Sequence, residues 1–247
     1  MSIPTISIVI PARYASTRFP GKPLALIAGK PMILWVLERC RKVGGVTDVL
    51  VATDDDRIAE VVTKAGGTPV MTPSDLPSGT ERVHAASRES DADIIVNVQG
   101  DEPLIPPATI EAVIAILQNR SFDIGTAAVP FKTSEDIANP NSVKVVTGMT
   151  GEALYFSRSI IPYQRDTGLS GEHAYLRHVG IYAYRKAALE RFISLPPSPL
   201  ERIEQLEQLR ALQNGMKLGV ATVEAATPSV DVPDDIGRVE AFLRSGG

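Results

Sequence analysis

The chain has 247 residues, 44 % of them hydrophobic, so it is long enough to bury a substantial core. Its formal net charge of −4 at pH 7 argues against binding nucleic acid or an anionic membrane through a broad basic face. The single cysteine, Cys40, cannot form an internal disulfide, and the helical pattern around it predicts a buried side chain. We expect a cytoplasmic protein, since the N-terminus lacks a signal-peptide pattern and no apolar run approaches the roughly 18 residues of a membrane helix.

Strand-like and helix-like segments alternate in the first half of the chain. The predicted strands are Ile6–Ile10, Val49–Ala52, Pro69–Met71 and Ile94–Val98. The predicted helices are Pro31–Val43, Asp56–Ala65, Glu81–Arg88 and Pro107–Asn119. This alternation predicts an α/β fold, in which a parallel sheet is flanked by helices on both faces.

The pattern changes after about residue 125, where short strand-like segments are joined by turns. The predicted strands are Gly125–Phe131, Val143–Val146, Ala153–Phe156, Val179–Tyr184 and Leu218–Val223, with a hairpin around Gly148–Gly151. One helix is expected from Ser198-Pro199 to Gly215, and a terminal helix over Asp234–Arg244. The side chains expected to face inward from the first of these helices are Leu200, Ile203, Leu206, Leu209 and Leu212. We therefore predict a single domain, 1–247, with a smaller mixed sheet extension in its second half.

A basic loop follows the first predicted strand and contains Arg13, Arg18 and Lys22 within ten residues. It matches neither the phosphate-binding G-x-x-x-x-G-K-[ST] pattern nor the dinucleotide fingerprint G-x-G-x-x-G. Guanidinium groups bind phosphate in a bidentate manner, and a lysine adds a mobile point charge. A site for a small anion is the favoured interpretation, and a solvated surface loop is the alternative.

Several acidic residues also follow predicted strands. Asp101 comes after a buried strand and Gly100, where it could bind Mg²⁺ or merely stabilise a turn. Asp231, taken alone, indicates a helix-end cap, and the run from Asp54 to Asp56 indicates a solvated turn. Arg13, Asp54 and Asp101 could nevertheless converge, because ligands bind outside the carboxyl ends of strands in open α/β sheets.

His178 lies next to a predicted strand, and taken alone it is more typical of a hydrogen-bonded structural histidine than of a functional one. The sequence contains no H-E-x-x-H or G-x-S-x-G pattern, so zinc proteolysis and serine hydrolysis have no support.

Nine segments, in the same order, closely resemble the 3-deoxy-D-manno-octulosonate (Kdo) cytidylyltransferase, or CMP-Kdo synthetase, family of the sugar-nucleotidyltransferase superfamily. They are IPARYASTRFPGKPL (10–24), VATD (51–54), SGTER (78–82), VNVQGDEPLI (96–105), NPNSVKVV (139–146), ALYFSRSIIP (153–162), LRHVGIYAYR (176–185), PSPLERIEQLEQLR (197–210) and VDVPDD (230–235). Each segment is weak alone, but chance matches would not keep order and spacing over nearly the whole chain. The resemblance implies a Rossmann-like nucleotidyltransferase fold.

The resemblance also implies the reaction CTP + Kdo → CMP-Kdo + diphosphate, with Mg²⁺ as cofactor, for lipopolysaccharide biosynthesis. Residues 1–125 would mainly bind CTP, residues 126–230 would mainly bind the sugar and a second subunit of a homodimer, and residues 231–247 would return as a terminal helix. The basic loop would then hold the triphosphate, where clamped cations stabilise the leaving diphosphate. No nucleic-acid partner and no membrane insertion are expected.

Individual roles follow from the matching motifs alone. The implied CTP-binding residues are Pro11, Ala12, Arg13, Arg18, Lys22, Ser78, Gly79, Thr80 and Gln99. The implied catalytic residues are Arg13, Lys22, Asp101 and Asp231, of which Asp101 and Asp231 would be the metal ligands. The implied Kdo-binding residues are Arg158, His178, Tyr182, Glu207 and Gln208, with Arg158 as the partner of the sugar carboxylate.

Three alternatives stay open from the sequence. The first two are the same chemistry on 8-amino-Kdo or on another 2-keto sugar acid, such as a sialic acid. The segments LRHVGIYAYR and PSPLERIEQLEQLR favour Kdo over a sialic acid, whereas no single residue separates Kdo from its amino analogue. The third, a non-catalytic nucleotide-binding protein, would be expected to lose a phosphate cation or a metal carboxylate, and the sequence retains all of them.

Overall fold

The computed structural model describes residues 4–16, 18–119, 121–131, 133–165, 175–224 and 227–245. The strands are β1 (Ile6–Ala12), β2 (Leu26–Ile27), β3 (Lys30–Pro31), β4 (Asp48–Thr53), β5 (Thr68–Met71), β6 (Ile94–Asn97), β7 (Ile124–Pro130), β8 (Lys144–Thr147), β9 (Ala153–Ser157), β10 (Leu176–Arg185) and β11 (Leu218–Thr222). The helices are α1 (Met32–Cys40), α2 (Asp56–Lys64), α3 (Gly79–Ser87), α4 (Pro107–Asn119), α5 (Ser134–Ala138), α6 (Lys186–Ser194), α7 (Pro199–Glu204), α8 (Gln208–Gln213) and α9 (Asp235–Arg244), with a short 3-10 helix at Lys22–Leu24. Two compact units can be distinguished, a first unit of residues 1–111 and 227–247 and a second unit of residues 112–226.

The first unit is built on parallel strands in the order β6-β1-β4-β5. Strand β1 is central: Val9 is in register with Leu50 of β4 and with Asn97 of β6. Ile8, Val9 and Ile10 have no exposed surface, as the continuous apolar run of a strand covered on both faces requires. Because the strands are parallel, the loops that follow β1, β4 and β6 leave the same edge of the sheet.

The C-terminal segment is packed into the first unit by an apolar cluster. Its buried members are Ile27, Met32, Leu104, Val230 and Val239. The Glu240 carboxylate adds a hydrogen bond, since its Oε1 accepts from the backbone N–H of Ala28 at 2.8 Å. This packing fixes the residues that immediately follow Val230, which include Asp231.

The second unit contains a mixed sheet. Strand β7 pairs in parallel with β11 and antiparallel with β10, and β10, β8 and β9 continue with antiparallel pairs. The register of β10 against β7 shifts between Val179 and Tyr182, which marks a bulge at this point. The predicted hairpin is confirmed: β8 and β9 pair across a turn in which the Gly151 N–H donates to the Gly148 carbonyl.

The helix predicted from Ser198 to Gly215 is wrong, because two short helices occupy this stretch. Helix α7 begins with a capping box, in which Ser198 and Glu201 satisfy each other's backbone N–H groups. It ends at Gln205, which has a left-handed backbone (φ 52°), and α8 starts at Gln208. The spacing of the leucines gave no sign of this break, and Ile203, which was expected to face inward, is 77 % exposed.

Other predictions are confirmed or extended. The mostly parallel α/β fold with mixed strands in the second half is confirmed, and Cys40 is fully buried. Helix α3 begins at Gly79, two residues before the predicted start, because Ser78 supplies its N-cap. Helices α5 and α6 and the β2–β3 pair have no counterpart among the predicted elements. Among the described helices, none combines the length and apolar composition that a membrane crossing needs.

Candidate active site

A cavity in the first unit lies where β1 and β6 end. It is lined by Pro11, Ala12, Arg13, Ser16, Arg18, Lys22, Pro23, Gly79, Arg82, Gln99, Gly100 and Asp101. Seven of the nine implied CTP-binding residues are in this lining, and the other two, Ser78 and Thr80, adjoin Gly79 in the chain. The structure thus brings together the residues of three separate motifs, as expected for loops that leave one edge of a parallel sheet.

The basic loop is closed by its own backbone. The Tyr14 carbonyl accepts hydrogen bonds from the N–H groups of Ser16 and Gly21, at 3.0 and 2.9 Å. Gly21 has φ of +72°, a conformation that favours glycine, and it caps the 3-10 helix that begins with Lys22. The turn directs Lys22 inward, so that its side chain is only 16 % exposed.

Two ion pairs join the basic loop to the two carboxylates implied as metal ligands. The Lys22 ammonium lies 2.8 Å from Asp101 Oδ2 and also donates to the Val230 carbonyl at 3.0 Å. Arg18 Nη2 lies 3.1 Å from Asp231 Oδ1, in a more exposed pair. Two of the three cations expected to bind phosphate, Lys22 and Arg18, are therefore each paired with one carboxylate expected to bind Mg²⁺.

Asp231 lies beside Asp101 although 130 residues separate them in the chain. The Val230 N–H donates to the Asp101 carbonyl at 3.0 Å, which joins the two segments directly. The expectation that Asp231 caps a helix is wrong, because Asp235 Oδ2 accepts from the N–H groups of Asp231 and Val232 instead. The Asp231 carboxylate is left to face Arg18.

Asp54 does not form part of a solvated turn, contrary to the prediction. Its side chain is 8 % exposed and its Oδ2 accepts from Arg82 Nη2 at 2.9 Å. Arg82 is itself 2 % exposed, also donates to the hydroxyl of Thr72, and lines the cavity. Asp55, the next residue, caps α2 by accepting from the N–H of Arg57. A charge run that looked solvated in the sequence therefore includes a buried ion pair.

The amide of Gln99 has a defined orientation at the cavity wall. Its Nε2 donates to Asn97 Oδ1 at 3.0 Å, and Asn97 is fully buried. Gln99 Oε1 lies 3.6 Å from the point where a Cβ on Gly79 would be. Gln99 thus presents an acceptor oxygen close to the start of α3, where the helix N-terminus also favours negative charge on a ligand.

Gly100 is required by a close approach of two loops. A Cβ at this position would lie 2.7 Å from the Pro11 carbonyl oxygen, so a larger residue would push the ends of β1 and β6 apart. The nearest neighbour of this glycine is therefore the Pro11 backbone.

The residues implied in sugar binding belong to the second unit, and His178 lies on its strand β10. His178 Nε2 lies 2.9 Å from the Thr126 hydroxyl, which donates to the Ile181 carbonyl inside the bulge of β10. The imidazole packs edge-on against Phe156, with ring centroids 5.0 Å apart. Burial lowers the pKa of His178 from 6.5 to about 3, so the ring is neutral at physiological pH.

Tyr182 lies close to His178, and Glu207 lies near Tyr182. The ring centroid of Tyr182 is 5.5 Å from that of His178. Burial raises the pKa of the Tyr182 phenol, and the nearby Glu207 carboxylate raises it further. Gln208, the first residue of α8, is 6 % exposed. The break between α7 and α8 places Glu207 and Gln208 side by side at the start of a helix.

Arg158 holds that break in place. Its Nε donates to the Glu204 carbonyl at 2.7 Å, and its Nη1 and Nη2 donate to the carbonyls of Pro140 and Gln205. A guanidinium commonly satisfies the last carbonyls of a helix in this way. Three of its five N–H groups are used in the described structure, which leaves two for a ligand.

The first loop of a parallel sheet carries two cations, each paired with a carboxylate, and this arrangement fits a nucleotidyltransferase. The comparisons with known proteins agree: the chain belongs to the cytidylyltransferase family, whose profile matches residues 7–218. It is 48 % identical over 235 residues to 3-deoxy-manno-octulosonate cytidylyltransferase of Acidobacterium capsulatum, which covers 95 % of each chain. It is also 48 % identical over 247 residues to the enzyme of the same name from Syntrophotalea carbinolica, covering 97 % of this chain and 99 % of that one.

A solved structure shows the same fold with a nucleotide. It is that of CMP:2-keto-3-deoxy-manno-octonic acid synthetase complexed with CTP, with a TM-score of 0.93 and 42 % identity over 98 % of this chain and 100 % of that one. A cytidylyltransferase from Leptospira borgpetersenii, at 18 % identity and a TM-score of 0.66, shares the fold.

Four residues near the two groups of implied ligands were missed by sequence reasoning. They are Arg82, Asn97, Thr126 and Tyr14. Arg82 could have been found, because it belongs to the SGTER segment. Nothing in the sequence signals Thr126, since its proximity to His178 depends on pairing of β7 with β10.

Proposed function

We propose that this cytidylyltransferase transfers CMP from CTP to Kdo and releases diphosphate. The observation that carries the proposal is the pairing of Lys22 with Asp101 and of Arg18 with Asp231 around one cavity. The names of the similar proteins support Kdo as the sugar. The acceptor for CMP would be the anomeric 2-hydroxyl of Kdo, attacking the α-phosphate in line.

The chain's own residues would act mainly by electrostatics. Lys22 and Arg18 would exchange their carboxylate partners for phosphate oxygens, and Arg13, which lines the same cavity, would add a third cation. These cations stabilise the charge that develops on the leaving diphosphate. The backbone at Pro11 and Ala12 and the segment from Ser78 to Thr80 would contact the base. Gln99 would offer its oriented oxygen to the exocyclic amine of cytosine.

Asp101 and Asp231 fit a magnesium site. Mg²⁺ prefers one or two carboxylates together with substrate phosphate oxygens and water, and these two partly exposed carboxylates provide that number. The described residues contain no cluster of three or more metal-binding side chains, in agreement with a site that the substrate completes. When bound there, Mg²⁺ would lower the pKa of the attacking hydroxyl and neutralise phosphate charge.

The sugar would be bound by the second unit's residues. A neutral His178 and a protonated Tyr182 can each exchange hydrogen bonds with sugar hydroxyls, and Glu207 and Gln208 add further polar groups. The two remaining N–H groups of Arg158 would bind the Kdo carboxylate. Neutral donors suit hydroxyl groups, and the single guanidinium suits the single anionic group of the sugar.

The test is diphosphate release at saturating CTP and Mg²⁺, with Kdo, 8-amino-Kdo and N-acetylneuraminate run in parallel. We expect the highest kcat/KM with Kdo. A preference for either other sugar would keep the nucleotide chemistry and refute the assigned substrate. No diphosphate release with any of the three sugars, in folded protein that binds CTP, would refute the proposed reaction.

The same proposal includes an oligomeric state, a cellular compartment and a use for the product. We propose a homodimer that joins through the second unit, supported by apolar side chains that are exposed there: Leu154, Ile160, Tyr163 and Ile203. Light scattering should give twice the mass of the chain, and Tyr163→Ser with Ile203→Ser should shift the mass toward monomer; a monomeric wild type would refute the dimer. The cytoplasm, where CTP is available, would be the compartment, and lipopolysaccharide synthesis the use of the product.

A further inference from the structure

Tyr14 contacts the basic loop through both its backbone and its side chain. Its carbonyl closes the loop by accepting from both Ser16 and Gly21. Its side chain also lies against Gly21: two ring carbons and the phenol oxygen are each 3.2 Å from the point where a Cβ on that residue would be. Because Lys22 follows Gly21 directly, the position of the Tyr14 ring constrains where the lysine enters the cavity.

Arg57, at the start of α2, lies on the same ring. Its guanidinium carbon is 3.5 Å from the Tyr14 ring centroid, which is cation–π geometry. Asp55 holds the guanidinium in a fork, with Nε–Oδ1 and Nη2–Oδ2 distances of 2.9 and 2.7 Å. Asp55 also caps α2 through the Arg57 N–H, so the fork is attached to the end of a helix that packs on β4 and β5.

We propose that Arg57 is a positioning residue for nucleotide binding: together with Asp55 it fixes the Tyr14 ring, and through Tyr14 the turn that delivers Lys22 to the cavity. The inference rests on the proposed role of Lys22 in binding the CTP phosphates. The loop is thereby ordered before the nucleotide arrives, so that CTP binding loses less conformational entropy. Once CTP is bound, the phosphates themselves hold Lys22.

The proposal predicts a separation of KM from kcat. Arg57→Met keeps the length of the side chain and removes its charge. It should raise the KM for CTP about two- to fivefold, the range for an exposed cation–π contact, and leave kcat unchanged. Asp55→Asn should move KM in the same direction by a smaller factor, because asparagine caps a helix as well as aspartate but lacks the charge. Arg57→Lys should recover part of the loss.

A double variant tests the route through Tyr14. Tyr14→Leu should raise the KM for CTP more than Arg57→Met does, since the ring against Gly21 is lost. Combining the two substitutions should give the KM of Tyr14→Leu alone, because Arg57 then has no ring to hold. Additive effects on ln KM would overturn the route, as would a fall in kcat without a change in KM.

The matched control is Lys64→Met, which removes an exposed ion pair with Glu60 elsewhere on α2. It should leave both constants unchanged, and a KM effect equal to that of Arg57→Met would also overturn the proposal. Calorimetric titration of wild type and variants with CTP, without sugar, gives the same ratios as dissociation constants. If the wild type fails to use Kdo, the proposed reaction fails, whereas the ratio of these dissociation constants still decides the role of Arg57.

Discussion

The residues proposed to bind the two substrates differ in how their charges are treated. In the first unit, cations and carboxylates are paired across loops and stay partly exposed, so that a ligand can replace either partner. In the second unit, His178 and Tyr182 are desolvated and neutral, and Arg158 is already bound to backbone carbonyls. Paired ions suit a polyanion and a metal, whereas fixed neutral groups suit a polyhydroxylated sugar. The comparison can be tested from both sides.

The largest effect is expected at Asp101. Asp101→Asn should lower kcat by at least about a thousandfold, because a metal ligand and the partner of Lys22 are lost together. Diphosphate release measures this, with Asp75→Asn, an exposed acid outside the cavity, as the control. Thermal unfolding should show an intact fold. Near-normal turnover of Asp101→Asn would remove the metal assignment.

A graded effect is expected for the two paired cations. Lys22→Met should lower kcat/KM by about a hundredfold, since the lysine is mostly buried and holds two partners. Arg18→Met should cost about tenfold, because its pair is exposed on both sides and screened by solvent. Raising the ionic strength should reduce the Arg18 contribution more than the Lys22 contribution. The reverse order of the two variants would contradict the assigned geometry.

The neutral form of His178 predicts a particular pH dependence of the free energy of unfolding. The folded-state pKa of His178 is about 3 and its usual value is 6.5, so below pH 6.5 the unfolded chain binds a proton that the folded chain does not. Stability from this group is complete above pH 6.5 and falls as pH falls, by at most about 1.4 kcal/mol per pH unit. His178→Gln should reduce the pH dependence of the free energy of unfolding between pH 6.5 and 4. An unchanged slope would mean that the imidazole is charged in the folded protein.

The smallest expected effect concerns the helix break in the second unit. Ser198→Ala removes one side of the capping box and should lower the free energy of unfolding by about 1 kcal/mol. Because α7 leads to Glu207 and Gln208, the KM for Kdo should rise slightly while the KM for CTP stays constant. An increase in the KM for CTP of the same size would show that the two groups of residues are not independent.

Particular residues show what could be predicted. The strand that ends before Asp101 and the N-cap at Ser198 were correct because each depends on neighbours in the chain. Asp54 was wrong because its partner Arg82 lies 28 residues away and on another element. The break at Gln205 was missed because the leucine period continues through it. The carbonyls of Glu204 and Gln205 accept hydrogen bonds from Arg158, which follows β9 and is distant in the chain.

The sequence by itself determined the α/β class, the cytidylyltransferase resemblance and the residue types at the site, since period, capping and motif order are local properties of the chain. The tertiary structure alone decided which charges meet. Lys22 pairs with Asp101, and Arg18 with Asp231, because parallel pairing of β1 with β6 and burial of Val230 bring distant segments together. The same holds for the Arg57 guanidinium on the Tyr14 ring. Such contacts depend on distances through space, which spacing along a chain does not encode.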